Sequence, residues 1–228
     1  NLASSRLDRI QARIATDEQA KGGRMNERGK APYHHGDLRE ALLVAAEAEL
    51  KEKGVEGFTL RGCAKRAGVS HAAPAHHFRD AGALLTALAA VAFARFMAAM
   101  EARRSAAAGR RERLVALGLG YIDFATSEPA LFRLMFASDR PDFDDPELHR
   151  VASASFAMLV EAVAAVSGGD PMQDKAAVLD VAAAWSIVHG IADLALSGQL
   201  KFLDEAGFAA DRETAYRDLI RRILPKEP

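Results

Sequence analysis

Apolar residues recur at intervals of three and four along most of this chain, the spacing that lines one face of an α-helix. The first clear stripe consists of Leu38, Ala41, Leu42, Ala45, Ala46 and Leu50. Asp37 precedes this stripe and Glu40 follows three residues later, a pattern typical of an N-terminal capping box. Gly54 is a residue type suited to a helix end. The pattern therefore predicts a first helix that begins at Asp37 and stops before Gly54.

Two shorter helices are predicted after Gly54. Thr59 is placed to cap the segment TLRGCAKRA, and Gly68 tolerates the positive φ that a tight turn needs. Ser70 is placed to cap HAAPAHHF, in which Pro74 is the fourth helical residue. Because proline has no N–H, one hydrogen bond is lost there, but only near the edge of the helix.

The rest of the chain carries longer helical stripes separated by loop signals. The predicted helices run over residues 83–104, 110–127, 128–137, 146–166, 173–196 and 212–224. The segments SDRPDFDDP and SGGDP interrupt them with the Pro, Asp and Gly content of loops. Alternation with a period of two and runs of β-branched residues are absent from the sequence. The sequence therefore predicts an all-α protein.

Composition also favours helices, and the cysteine count favours one cellular compartment. Half of the 228 residues are hydrophobic while aromatic residues are few, and alanine, the strongest helix former, is abundant. The single cysteine, Cys63, excludes an internal disulfide and favours a reducing cytoplasm. Charged residues interrupt the apolar runs, so we expect none to reach the roughly 20 residues of a membrane span. No signal peptide is predicted either.

The second and third predicted helices have the spacing of a helix-turn-helix unit. Such a unit lays its second helix in the major groove of DNA. Residues 59–79 contain four basic residues and no acidic one: Arg61, Lys65, Arg66 and Arg79. Residues 1–83 carry 14 basic and 11 acidic residues, whereas the remainder carries 16 and 20. The near-neutral chain is therefore predicted to have a cationic N-terminal part, as phosphate binding requires.

Histidines concentrate in the same region and allow two interpretations. His71, His76 and His77 are a candidate metal set, with His34 and His35 nearby. Adjacent helical residues point about 100° apart, however, and no cysteine or clear carboxylate completes the set. Proximity to DNA phosphates is the favoured interpretation, although His77 also suits a structural position at the end of a helix.

Several of these segments together resemble the TetR family of bacterial repressors. Residues 37–85, which include GVEGFTLRGCAKRAGVSHAAPAHHF, are similar to the N-terminal domain of that family. YHHGDL at residues 33–38 and GVSHAAP followed by HHF resemble one subgroup, whose C-terminal domain carries Trp-x-x-x-His-Gly. Here AWSIVHG places Trp185, His189 and Gly190 in that pattern, and PALFRLMF at 129–136 is a further similar element.

The resemblance implies a fold, a set of partners and domain boundaries. An N-terminal three-helix helix-turn-helix DNA-binding domain would span residues 33–83, and a C-terminal helical ligand-binding and dimerisation domain residues 84–228. Residues 1–32 would be a flexible arm, or sequence upstream of a native start at Met25. The implied protein is a homodimeric cytoplasmic transcription regulator and not an enzyme. It is a repressor that leaves a palindromic double-stranded operator when a small apolar or aromatic molecule binds, with no cofactor and no membrane.

The resemblance also implies which residues meet DNA. They are Tyr33, His34, Thr59, Arg61, Ser70, His71, Ala72, Ala75, His76, His77 and Arg79. Two positions depart from the family pattern: a tyrosine usually stands where Ala75 is, and a lysine often stands near Ala81. Each missing phosphate contact is expected to weaken DNA binding.

The C-terminal half is expected to hold the ligand and the dimer interface. The predicted ligand-binding residues are Phe124, Phe132, Met135, Phe136, Phe156, Leu159, Trp185 and His189. Trp185 and His189 are four residues apart and so share a helix face, and Asp193 is one turn further, where it would orient the histidine. The resemblance places the dimer interface on the last two long helices, roughly 174–196 and 212–224.

Two alternatives remain open at this point. Ala75 and Ala81 suggest a helical ligand-binding protein whose DNA affinity is weakened or lost. His189 with Asp193 suggests an enzyme with a proton-transfer pair, although the sequence offers no nucleophile, phosphate loop or metal set to accompany it.

Overall fold

A computed structural model describes residues 35–168, 171 and 173–224 of the chain. The predicted N-terminal arm lies outside the described residues, as do Tyr33 and His34. The described part consists of helices joined by short connections, which confirms the predicted all-α class.

Eight α-helices and two irregular helical turns follow one another along the described part of the chain. The α-helices are α1 (His35–Lys53), α2 (Leu60–Arg66), α3 (Ala81–Ala106), α4 (Arg110–Ser127), α5 (Pro129–Phe136), α6 (Pro146–Ser167), α7 (Lys175–Leu196) and α8 (Arg212–Ile223). A 3₁₀ turn over Ala73–His76 lies between α2 and α3, and a π-helical turn over Asp204–Phe208 precedes α8.

Side-chain caps explain where several helices begin. The Thr59 hydroxyl accepts a hydrogen bond from the Gly62 backbone N–H at 3.0 Å, as predicted for the start of α2. Asp80 accepts from the Ala83 N–H at 2.8 Å, so α3 starts at Ala81, two residues before the predicted position. The bounds predicted for α4 agree with the structure.

Two predicted caps are wrong. α1 begins at His35, so Asp37 lies inside the first turn and is not its N-cap. The segment after Ser70 is a short 3₁₀ turn and not an α-helix, and its N-cap, Ala72, makes no side-chain capping bond. Pro74 has no N–H to give to the Ser70 carbonyl, which accepts instead from the Ala73 N–H at 3.0 Å. The chain therefore takes the tighter i→i+3 pattern.

α3 and α4 form the centre of the fold and approach each other closely. A Cβ atom added to Gly120 would lie 2.7 Å from both the carbonyl oxygen of Ala99 and the Cα atom of Met100. Gly118, on the same helix, faces α7 and α8, where an added Cβ would lie 2.8 Å from a Val188 methyl group. These glycines allow α4 to lie within packing distance of three helices, and the cavity described below lies among them.

Three helices are long and apolar enough to cross a membrane by length and composition alone: α3, α6 and part of α7. Charged residues nevertheless interrupt all three, as expected: Arg95 in α3, Glu161 in α6 and Asp180 in α7. These helices pack in the bundle, but to different extents. The most apolar stretch of α3 is 50% buried, whereas those of α6 and α7 are 28% buried. α6 and α7 thus leave much of their apolar surface exposed in a single chain.

Candidate DNA-binding surface and ligand cavity

The turn after α2 has the geometry predicted for a helix-turn-helix unit. Gly68 adopts a φ of 69°, which a residue with a side chain rarely adopts. The Val69 N–H donates to the Ala64 carbonyl at 3.0 Å, and Ala64 itself is buried. The turn is therefore fixed by its backbone and holds the 3₁₀ segment beside α2.

Most residues predicted to meet DNA lie exposed around this turn. Exposed are Thr59, Arg61, Ser70, His71, Ala72, Ala75, His76 and Arg79, whereas His77 is half-buried. Thr59 also caps α2, so its hydroxyl has a structural role. The surface is continuous with the start of α3, where Ala81 offers no charge. These positions are available to a nucleic acid, and their roles as DNA contacts stay predictions.

Two basic residues of the acid-free segment 59–79 lie next to carboxylates in the folded chain. Arg66 of α2 donates from Nε to Glu49 of α1 at 2.5 Å and also pairs with Glu52. Arg79 Nε lies 3.1 Å from a carboxylate oxygen of its neighbour Asp80. Two of the four cations predicted for phosphate binding are therefore already paired within the fold. Arg61 and Lys65 remain exposed.

The Arg66 pair fixes α2 on α1. Glu49 is buried, and a Cβ atom on Gly62 would overlap its carboxylate. The absence of a side chain at Gly62 therefore leaves the space that the carboxylate occupies. Hydrogen bonds with Glu49 and Glu52 raise the pKa of Arg66. Burial next to the same carboxylate raises the pKa of the Cys63 thiol to about 12. Arg66 is thus a structural cation.

A second charged network joins the DNA-binding part to the rest of the chain. Lys51 of α1 lies 2.9 Å from Glu47 and 2.8 Å from Glu128, which immediately precedes α5. Arg95 of α3 lies 2.8 Å from Glu47. Burial opposes the ionisation of Glu47, yet hydrogen bonding to Lys51 and the charge of Arg95 lower its pKa overall. α1, α3 and α5 therefore meet at one ionic junction.

A cavity of about 800 Å³ lies among α3 to α8. Its lining is predominantly apolar, the composition typical of small-molecule sites. Residues of α3, α4 and α5 in the lining include Phe93, Phe96, Met100, Leu114, Tyr121, Met135 and Phe136. Residues of α6, α7 and α8 include Ala152, Phe156, Leu159, Trp185, His189 and Ile220. Phe156 and Trp185 are both about two-fifths exposed and pack edge to face at its mouth.

A hydrogen-bonded pair, Tyr121 and His189, lies in the mostly apolar lining, which also contains four serines. The Tyr121 hydroxyl lies 2.6 Å from Nδ1 of His189. Burial raises the pKa of Tyr121. The partner predicted for His189 was Asp193, but Asp193 is exposed and the ring is held by Tyr121 instead. Trp185 and His189 thus lie on one face of α7, and the His189 ring contacts this hydroxyl.

The structure brings together six of the eight residues predicted to bind a ligand. Met135, Phe136, Phe156, Leu159, Trp185 and His189 line the cavity. Phe124 and Phe132 lie behind the lining: Phe124 packs on Phe96 at 5.4 Å between ring centroids, and Phe132 on Tyr121 at 5.7 Å. Sequence reasoning missed the contributions of α3 and α8 and, on α4, those of Leu114, Leu117 and Tyr121. The apolar stripe of α3 was a signal for burial, but no local pattern distinguishes a cavity wall from a packed core.

Two family models match this chain. Residues 42–88 match bacterial regulatory proteins of the tetR family, and residues 114–223 match the tetracyclin repressor-like C-terminal domain. A search among curated proteins found no match.

Solved structures share this fold over most of the chain. A protein of unknown function from Rhodococcus sp. RHA1 is 37% identical, with a TM-score of 0.68 over 86% of this chain and 99% of that one. A TetR family transcription regulator from Marinobacter aquaeolei VT8 is 18% identical, with a TM-score of 0.60 over 84% and 97%. The fatty acid degradation regulator FadR from Bacillus halodurans is 16% identical, with a TM-score of 0.56 over 87% and 97%.

The two models account between them for the helix-turn-helix unit and, apart from most of α3, for the helices that enclose the cavity. The chain therefore belongs to the TetR family and is a DNA-binding transcription regulator.

Proposed function

We propose that this regulator is a repressor that leaves its operator when a small apolar or aromatic molecule enters the cavity among α3 to α8. The observation that carries the proposal is the cavity itself, about 800 Å³ with a mostly apolar lining. A volume of that size falls in the range of sites that enclose drug-sized ligands. A fully packed core would not leave such a space.

α5 connects the cavity to the DNA-binding part. Its residues Met135 and Phe136 line the cavity, while Glu128 at its start pairs with Lys51 of α1. A ligand that displaces Phe136 therefore acts on a helix whose other end holds α1. Release of DNA requires that the ligand bind one arrangement of these helices more tightly than the other.

We further propose a homodimer that uses the exposed apolar surface of α7. Val178, Leu179 and Leu194 are exposed there, with Leu179 69% exposed in the single chain. The outer side of α8 is charged, and Arg221 lies 2.9 Å from Glu112 of α4. α7 would thus supply the apolar centre of the interface and α8 a charged rim. Two-fold symmetry would set two helix-turn-helix units on a palindromic operator.

Release by a ligand is tested on the purified regulator. Native mass spectrometry identifies a small molecule retained in the dimer, and that molecule is then titrated into the complex of the protein with DNA from upstream of its own gene. The proposal predicts loss of the complex as the cavity fills. A molecule that occupies the cavity while the DNA stays bound would contradict release.

A second candidate is a ligand-binding protein with weak DNA affinity. Alanine at positions 75 and 81 removes two expected contacts, and the pairing of Arg66 and Arg79 reduces the free charge beside the turn. This candidate predicts ligand binding without saturable binding to the upstream DNA below micromolar concentrations at low salt.

A further inference from the structure

The cavity is almost devoid of formal charge. No Asp, Glu, Lys or Arg is among the described residues that line it, and its two titratable members are Tyr121 and His189. An ionised ligand buried there would lose its hydration without gaining a counter-charge, which is strongly unfavourable. The lining therefore selects against carboxylates and ammonium groups.

The hydrogen bonds around Tyr121 have a direction. A phenol has one proton to donate, and among the described residues His189 is the hydrogen-bond partner of the Tyr121 hydroxyl. The single hydroxyl proton of Tyr121 is then directed to His189, whose Nδ1 lies 2.6 Å away and accepts it. A neutral imidazole with an accepting Nδ1 carries its proton on Nε2. Tyr121 thus sets the tautomer of His189.

We infer that the effector is an uncharged molecule with a large apolar body and one hydrogen-bond acceptor, which accepts from the Nε2–H of His189. Ketones, esters and neutral amides have this chemistry. The inference rests on the proposed role of the cavity, and it adds the ligand class and a positioning role for Tyr121. His189 is half-buried and packs against Phe132 and Phe136, at 5.6 and 5.5 Å between ring centroids.

The other polar residues of the lining are less suited to this role. The Ser155 hydroxyl donates to the Ala152 carbonyl at 2.7 Å, so its proton is used within α6. Ser138, in the loop after α5, accepts from the Arg140 N–H, which leaves its own proton free to rotate rather than held in one direction. Ser153 and Ser186 are exposed, where water competes for their hydroxyls. His189 is the donor that the surrounding structure both orients and partly shields from water.

Four probes with one apolar body test the ligand class. Each carries a 4-pentylcyclohexyl group with a methyl ketone, an ethyl, a carboxylate or an aminomethyl head group. Trp185 is the only tryptophan and lies at the cavity mouth, so its fluorescence reports binding to the full-length protein. We expect the ketone to bind about 3- to 10-fold more tightly than the ethyl analogue, the range of one net hydrogen bond. Both charged probes should bind more weakly than the ketone.

Tyr121→Phe tests the positioning role. This variant keeps the ring and removes the hydroxyl that engages Nδ1, so the preference for ketone over ethyl should fall by at least about threefold. Affinity for the ethyl probe should stay unchanged, which separates loss of orientation from collapse of the cavity. His189→Phe should abolish the ketone preference in the same way.

Three results would overturn the inference: tighter binding of either charged probe than of the ketone, an equal loss of ketone and ethyl affinity in Tyr121→Phe, or no response to any probe at millimolar concentration. The same probes, added to the protein–DNA complex, address release separately. A ketone preference without release would remove the repressor proposal and leave the ligand class intact.

Discussion

Substitution of Arg61 tests phosphate binding by this regulator most directly. It is exposed on α2 beside the helix-turn-helix turn, whereas Arg66 on the same helix is paired with two carboxylates. Arg61→Ala should therefore remove one phosphate contact per protomer with little effect on the fold. Thermal unfolding of the free protein should stay near that of the wild type.

The size of the effect follows from counterion release. Each phosphate contact contributes roughly 0.9 to the slope of log Kobs against log salt, so two copies of Arg61 in a dimer contribute about 1.8. A fourfold rise in salt then weakens the wild type by about 12-fold more than the variant. Fluorescence anisotropy with a labelled duplex at several salt concentrations between about 50 and 200 mM measures both slopes.

Arg150→Ala is the matched control for net charge. Arg150 is exposed on α6 and pairs with Glu147 at 2.8 Å, in the C-terminal part of the chain. Its removal changes the charge of the protein equally but should leave the slope unaltered. The reasoning is refuted if Arg61→Ala and Arg150→Ala change the slope equally, or if Arg61→Ala leaves it unchanged.

Three further predictions concern the interface, the packing and the buried thiol. Leu179→Lys should shift the dimer toward monomer in sedimentation velocity, whereas Val44→Lys, also exposed but on α1, should leave the mass unchanged; equal behaviour would argue against an α7 interface. Gly120→Ala should lower the free energy of unfolding by about 1–3 kcal/mol in urea titrations because its Cβ meets the α3 backbone, and a stabilised variant would contradict that packing. At pH 8 the buried Cys63 thiol, with its pKa raised to about 12, stays protonated, so iodoacetamide should label the native protein at least about 100-fold more slowly than the urea-unfolded one.

Helical periodicity and capping residues in the sequence predicted most of the helices of the fold. Thr59 caps α2 as predicted because its side chain acts on the backbone three residues away, which is local information. The prediction of a third α-helix was wrong for an equally local reason. The missing N–H of Pro74 was expected to cost one hydrogen bond at the Ser70 carbonyl. In so short a segment it changes the whole hydrogen-bond pattern. A long helix absorbs such a loss, and a four-residue one does not.

The site was less accessible to sequence reasoning because it depends on distant pairs. The sequence did not indicate that Arg66 is paired, because its partner Glu49 is 17 residues away, on the preceding helix. Asp193 is one turn from His189, yet Tyr121, 68 residues earlier in the chain, holds the ring. The family pattern brought Trp185 and His189 to attention, but the hydroxyl that holds the His189 ring comes from α4.

Titration of the full-length protein into a fluorescein-labelled duplex from upstream of its own gene tests the central claim most directly. At about 100 mM salt the account predicts saturable binding with a Kd below roughly 1 μM, at two protomers per operator, weakened at higher salt. Absence of saturable binding below about 1 μM even at 50 mM salt would contradict the account and leave a ligand-binding protein without useful DNA affinity.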